Sequence, residues 1–233
     1  SERTDKARTC LVCGKIAPIA DRHLIKIKHV PGGQTSGCAI VSANEAAYES
    51  YGLDAALNSP ICWDCARDYA QALNEMLKRD RYSFRIWDQI AYVFWVRNPV
   101  DEFSAASLLS DPDPDEVRGL LGSVEKGKAT GVEATNQFYA LALSGSGGRV
   151  VIRDWLKTTV ESAQQNIARY FEAQNIVSPD GQPGTPRKLM ALMGAVIPSV
   201  GRNPWDQLAP NSAASVVRAA LTGRPLPDTL LHR

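Results

Sequence analysis

The chain has 233 residues and a formal net charge of +1, with 44% hydrophobic and 22% charged residues. That length holds one large domain or two small ones around a real core, and the composition is that of a globular protein rather than a disordered one. No apolar run approaches the ~20 residues a bilayer-crossing helix needs, and the polar start, Ser1–Lys6, lacks the apolar stretch of a signal peptide. A cytoplasmic protein without membrane contact is the expectation.

In chain order, the first feature is Cys10-Leu11-Val12-Cys13, followed by Gly14. Two residues between thiols let a tight turn aim both sulfurs at one ion, and Gly14 suits the positive φ of such a turn. Ile25, Lys26, Ile27 and Lys28 alternate apolar and polar, which predicts a short strand over 24–30. The loop Pro31-Gly32-Gly33-Gln34-Thr35-Ser36-Gly37 leads to a small-residue strand over Cys38–Ser42. A short helix over Glu45–Tyr51 then stops at Gly52. The second cysteine pair, Cys62-Trp63-Asp64-Cys65, opens a helix whose Trp63, Ala66, Tyr69, Ala70, Leu73, Met76 and Leu77 recur at helical spacing.

Tyr82–Ile86 and Ala91–Val96 read as strands joined by a turn over 87–90. Residues 98–114, with Pro99, Pro112 and Pro114, read as a surface connection carrying a short helix, and Asp113-Pro114 as the start of another, to about Leu121. A second hairpin pairs Gln137–Leu143 with Arg149–Ile152 across Ser144–Gly148. Leu156, Val160, Ala163, Ile167, Tyr170 and Phe171 form the stripe of a long helix. The proline-broken remainder, Thr185–Leu231, is expected to be helical. The expected fold is α+β: antiparallel hairpins with a four-cysteine, zinc-ribbon-like module over 1–155, then a helical region over 156–233.

Paired C-x-x-C motifs about fifty residues apart read as one structural zinc held by Cys10, Cys13, Cys62 and Cys65. Two disulfides would instead need an oxidising compartment, and a redox pair leaves the second motif without a role. Four thiolates fill a tetrahedral shell and leave no position for a catalytic water. Zinc deaminases place Pro directly before C-x-x-C and need an upstream H-x-E. Here Pro60 comes one residue too early, and neither His23 nor His29 heads such a triplet. Cys38 stands alone and reads as a small buried hydrophobe. No nucleophile–base set or carboxylate pair emerges, so an enzyme is not expected.

Charge is unevenly spread. Residues 1–34 carry seven Lys/Arg against three Asp/Glu, residues 78–97 five against two, and residues 101–116 six acidic groups with no Lys/Arg. Local field rather than net charge attracts phosphate, although such runs also serve as ordinary solvated faces. The 31–37 loop offers backbone N–H groups with little steric cover, and Lys26 and Lys28 lie just upstream. The alternative is a glycine-rich turn between strands. Phe94 and Trp95, adjacent in a strand, must face opposite sides, leaving one for the core and one to stack on a base or partner.

The stretch Lys26-Ile27-Lys28-His29-Val30-Pro31-Gly32-Gly33-Gln34-Thr35-Ser36-Gly37, continuing through Asn44 and Tyr48-Glu49-Ser50-Tyr51-Gly52, resembles the large subunit of the type I-C CRISPR Cascade complex. Phe138–Ser144, Arg149–Trp155 and Asn166-Ile167-Ala168-Arg169 resemble further stretches of the same family. The resemblance implies a central fragment of a longer, non-catalytic subunit. Such a subunit acts in antiviral defence with CRISPR RNA and other Cascade subunits. It helps recognise the protospacer-adjacent motif on double-stranded target DNA, holds the separated DNA strands and recruits a helicase-nuclease. Guide pairing reads most of the sequence there, and protein reads a short motif and duplex shape. The expected nucleic-acid contacts are Lys26, Lys28, Gly32, Gly33, Gln34, Thr35, Ser36, Asn44, Arg85, Arg97 and Arg153. The competing expectation is a zinc-stapled module that binds protein only.

Overall fold

The computed structural model describes residues 7–22, 25–42, 53, 55–99, 103–125, 135–177, 179, 181, 184–197, 205 and 210–226. The expected helix over Glu45–Tyr51 lies outside them. Two compact units are present: Ser1–Lys78 with Ser144–Val151, and Arg79–Leu143 with Ile152–Arg233. The fold mixes helices with antiparallel sheet, as the sequence predicts.

In the first unit, strands β1 (Ala7–Thr9) and β2 (Ile16–Pro18) form a small antiparallel ribbon that brackets the first cysteine pair. Helix α1 (Trp63–Leu77) follows the second pair, with Cys62 as its N-cap and Asp64 in its first turn. Its inward stripe is Ala66, Ala70, Leu73 and Leu77, the spacing that sets one face of a helix against a core.

The strand expected over 24–30 contracts to one bridge. Ile27 exchanges both backbone hydrogen bonds with Cys38 at 2.8 Å, while Lys26 and Lys28 stay exposed and Ile27 is buried. The alternation read from the sequence is therefore present, over three residues instead of seven.

The second unit is built on a four-stranded sheet of order β3-β4-β5-β6. The strands are β3 (Ser83–Ile86), β4 (Ile90–Val96), β5 (Gln137–Ser146) and β6 (Arg149–Thr159). Between β4 and β5 come α2 (Ala105–Ser110) and α3 (Pro114–Glu125); after β6 come α4 (Val160–Glu172), α5 (Leu189–Val196) and α6 (Pro210–Thr222). Phe84, Tyr92, Phe94 and Phe138 line one sheet face and join a core with Leu109, Ile167, Met193 and Val217 from the helices. Burial of this apolar surface is the main stabilising term for the unit.

Two local expectations are corrected here. Residues 105–109, expected on a surface connection, contribute Ala105, Ala106, Leu108 and Leu109 to the core. Ser104 caps that helix by accepting the Ser107 N–H at 3.2 Å. Leu156 belongs to β6, and the long helix begins at Val160, where Thr159 accepts the Ser162 N–H at 3.1 Å. Leu156 still packs on the same core, so a strand side chain extended the helical stripe by coincidence of spacing. By contrast, Asp113 caps α3 as expected, accepting from Asp115 and Glu116 at 2.8 and 3.2 Å.

Candidate metal centre and basic groove

The four cysteines of the two pairs converge. Their sulfur atoms all lie within 4.8 Å of one another, with Cys13 Sγ and Cys62 Sγ at 3.9 Å, and all are free thiols. A disulfide requires about 2.0 Å between sulfurs, whereas a tetrahedral shell with metal–sulfur bonds of about 2.3 Å spaces them by about 3.8 Å. The donor set and spacing fit one thiophilic metal ion.

Local backbone geometry explains the convergence. Gly14, at φ 73°, turns the chain so that its N–H reaches the Cys10 carbonyl at 2.9 Å. The Cys10 N–H in turn reaches the Lys15 carbonyl at the same distance. The 60–62 segment pairs alongside: Leu11 donates to Pro60 and Ala20 to Ile61, each at 2.9 Å. The N–H groups of Cys62 and Val12 point at Cys10 Sγ from 3.3 and 3.4 Å.

Burial opposes ionisation of Cys10, but backbone N–H groups of Cys62, Cys13 and Val12 outweigh it and bring the thiol down to about 6. Cys65 is pushed up to about 12, first by its hydrogen bond with Cys62, then by burial and by the Cys13 and Cys10 thiols. Four thiols sharing one site cannot all ionise unless a cation takes up the charge. The same donors that ready Cys10 make the cluster a ligand set.

The expected nucleic-acid contacts fall into two groups. Ile25, Lys26, Lys28 and Ser36 line a groove of 630 Å³ in the first unit, together with Gln71, Asn74, Glu75 and Lys78 of α1. Sequence reasoning missed these α1 residues, whose outward face was visible only as the polar complement of the apolar stripe. Lys78 is paired with Glu75 at 2.8 Å. Thr35 and Gln34 are exposed at the loop tip, and Asn44 lies outside the described residues. Arg85 and Arg153 lie in β3 and β6 of the second unit, and Arg97 directly follows β4. The sequence grouped all of these; the structure divides them.

The glycines of the 31–37 loop have a packing role. The hairpin tip at 144–148 lies against them: Gly145 donates to the Pro31 carbonyl at 2.6 Å, and a Cβ on Gly145 would sit 2.3 Å from Cα and N of Gly33. Ala39 donates to the Gly148 carbonyl, and Val150 to the Ala39 carbonyl, both at 2.8 Å. Gly33 and Gly145 are thus needed for close backbone approach, while Gln34–Ser36 carry the loop's exposed polar groups.

No helix among the described residues is long and apolar enough to cross a membrane. No curated protein matches the sequence. The family model described as CRISPR-associated protein (Cas_Csd1) matches residues 1–233. That match agrees with the resemblance carried by the 26–37 stretch, and the chain belongs to the Csd1 family of CRISPR-associated proteins.

Proposed function

We infer that this chain is a non-catalytic part of the large subunit of a type I-C, CRISPR-RNA-guided Cascade complex, acting in the cytoplasm. In this reading it contributes to recognition of the protospacer-adjacent motif on double-stranded DNA. Alongside the guide RNA and the other Cascade subunits, it helps recruit the helicase-nuclease. The observation that carries the DNA-binding part is the groove in which Lys26 and Lys28 flank Ser36, Gln71 and Asn74, with Lys78 paired to Glu75 at its edge. Lysines provide point charges for backbone phosphates, and amides and hydroxyls add orienting hydrogen bonds. Gln34, Thr35 and Ser36 extend the contact at the loop tip. Arg85, Arg97 and Arg153 supply cations on the second unit.

Zinc is the ion this reading places among Cys10, Cys13, Cys62 and Cys65, since four thiolates in a closed shell suit it. Its chemistry there is structural: it ties the 10–14 turn to the start of α1, which forms one wall of the lysine groove.

A binding titration with duplex DNA at several salt concentrations tests the reading. Lys26→Ala with Lys28→Ala should weaken binding and reduce the salt slope by about two counterions. Unchanged affinity and slope would leave the lysines as a solvated face.

A second reading, a module that binds protein only, is favoured by the exposure of Leu11, Val12 and Ile16 around the first cysteine pair, since clustered exposed apolar groups mark contact surfaces. Crosslinking from this turn to neighbouring subunits, with none from the groove to DNA, would select it.

A further inference from the structure

Helix α4 buries Val160, Ala163, Gln164, Ile167, Ala168 and Phe171, and Gln164 is the one polar residue in that stripe. Only 4% of it is exposed, yet its carboxamide enters no hydrogen bond among the described residues. A buried amide without a partner is the exception in folded proteins, because nothing offsets its loss of water. Gln164 lines a cavity of 530 Å³ within the second unit, between α2, α3 and α4, so the amide faces an opening rather than the sealed core.

The other polar groups of the cavity are acceptors. Ser104 Oγ donates its proton to the Arg81 carbonyl at 2.8 Å, so Ser107 Oγ must be the donor in its 3.1 Å bond to Ser104 Oγ. Ser123 Oγ donates to the Leu120 carbonyl at 2.8 Å. Both Ser107 and Ser123 therefore offer the cavity lone pairs and no proton. The Glu116 carboxylate, exposed on α3, enters no ion pair among the described residues, whereas its neighbour Asp115 is held by Arg118. Arg81, the one cation lining the cavity, already has a partner of its own. Phe103, Leu108 and Leu120 supply apolar wall. Gly119, inside α3, lines the cavity too, and a Cβ there would meet nothing within 4 Å. A glycine inside a helix weakens it; here it keeps the cavity open.

We propose that this cavity binds a guanidinium or primary ammonium group carried on an aliphatic stem. Its N–H groups donate to Gln164, Ser107 and Ser123, and its charge meets Glu116. The stem lies against Phe103, Leu108 and Leu120, as long cationic side chains lie along apolar surface elsewhere. An arginine or lysine side chain of a protein partner and a free polyamine share this chemistry. The inference does not depend on the nucleic-acid reading, since acceptors beside a carboxylate repel phosphate.

The test follows backbone and side-chain amide NMR signals of the full chain during titration with N-acetyl-arginine methylamide, its citrulline counterpart and spermidine. The arginine compound or spermidine should shift the Gln164 amide saturably, while the citrulline compound, alike in shape but uncharged, binds at least about tenfold more weakly. Gln164→Leu should weaken binding by about tenfold and hold or raise the urea midpoint, because it removes an unpaired buried amide. Glu116→Gln should weaken it less, and most clearly at low salt. Gly119→Leu should block binding by filling the opening, with no loss of stability, since leucine favours a helix. Tighter binding of the arginine compound assigns the site to a protein side chain, and tighter binding of spermidine assigns it to a free polyamine. The proposal is overturned if neither cation shifts the Gln164 amide or if the citrulline compound binds as well as the arginine one. It is overturned equally if Gln164→Leu and Gly119→Leu bind the cation like the wild type. Duplex binding should be the same in all three variants, so failure of the lysine-groove reading shows separately, as indifference to Lys26→Ala and Lys28→Ala.

Discussion

Asn74 stands in for a β-strand beside the Lys26–Lys28 segment: its carboxamide accepts the Lys28 N–H at 2.7 Å and donates to the Lys26 carbonyl at 3.0 Å. Ile27 directs its own N–H and carbonyl to Cys38 on the opposite edge. A side chain of α1 thus satisfies the outer edge of a three-residue strand and sets both lysines at the rim of the groove. Asn74→Ala removes both bonds, and we expect a loss of about 1–2 kcal/mol, read as a lower urea midpoint. Duplex affinity should fall with it, because the lysines lose their backbone anchor.

The cysteine cluster closes a long loop, with Cys13 and Cys62 separated by 49 positions. Cross-linking so distant a pair restricts the unfolded chain, and metal binding adds its own free energy to folding. Purified protein is expected to contain one zinc per chain by elemental analysis. Cys62→Ser should abolish stoichiometric metal and cost roughly 3 kcal/mol or more, a Tm drop of about 6–12 °C. A strong chelator should reproduce the shift in the wild type and change nothing in the variant.

The contact between Gly33 and Gly145 leaves no room for a side chain. A Cβ on Gly145 would fall 2.3 Å from backbone atoms, which cannot rotate away as a flexible side chain could. Gly145→Ala should therefore cost about 2–4 kcal/mol through backbone displacement. Gly148→Ala is the control: its nearest neighbour is the Gln34 side chain at 3.4 Å, and we expect a change within about 0.5 kcal/mol. Denaturant midpoints of the two variants measure the difference.

Tyr92 gives a pH signature. Its hydroxyl lies 3.2 Å from Asp154 Oδ2 and 3.0 Å from the Ala214 carbonyl, so one phenolic proton serves two acceptors. Burial, reinforced by the Asp154 carboxylate, holds this phenol well above its ordinary value, and the Arg218 guanidinium pulls more weakly the other way. Above about pH 10 the unfolded chain releases this proton and the folded chain keeps it. Stability therefore falls as pH rises, by about 1.4 kcal/mol per pH unit for this one group. Tyr92→Phe should flatten that slope by the same amount while costing about 1 kcal/mol at neutral pH. Urea midpoints measured from neutral to alkaline pH check both.

Much of the candidate site was legible from local spacing. Each C-x-x-C aims two sulfurs within one turn, so the candidate metal ligands follow from residues three apart, and the stripe Ala66, Ala70, Leu73, Leu77 announces α1 directly. What spacing could not supply was the partner of each segment. Leu156 fitted a helical stripe because a strand and the helix after it bury side chains in one core. The 31–37 loop read as open because the hairpin tip that fills its glycines comes more than a hundred residues later. The α1 residues Gln71, Asn74 and Lys78 carried no motif, and only the position of the Lys26–Lys28 segment turned them into a groove wall.

The sequence by itself determined the four-cysteine ligand set, most of the helices and hairpins, and the family. All of these depend on residue type at short range, where backbone geometry leaves few alternatives. Tertiary structure alone decided that the expected cationic contacts separate into a lysine groove on one unit and arginines in or beside the sheet of the other. Strand alternation says that Trp95 and Phe94 point apart. Pairing of β4 with β5, and of β5 with β6, is what brings Trp95, Tyr139 and Trp155 together, because ring contact across strands depends on register between segments distant in the chain.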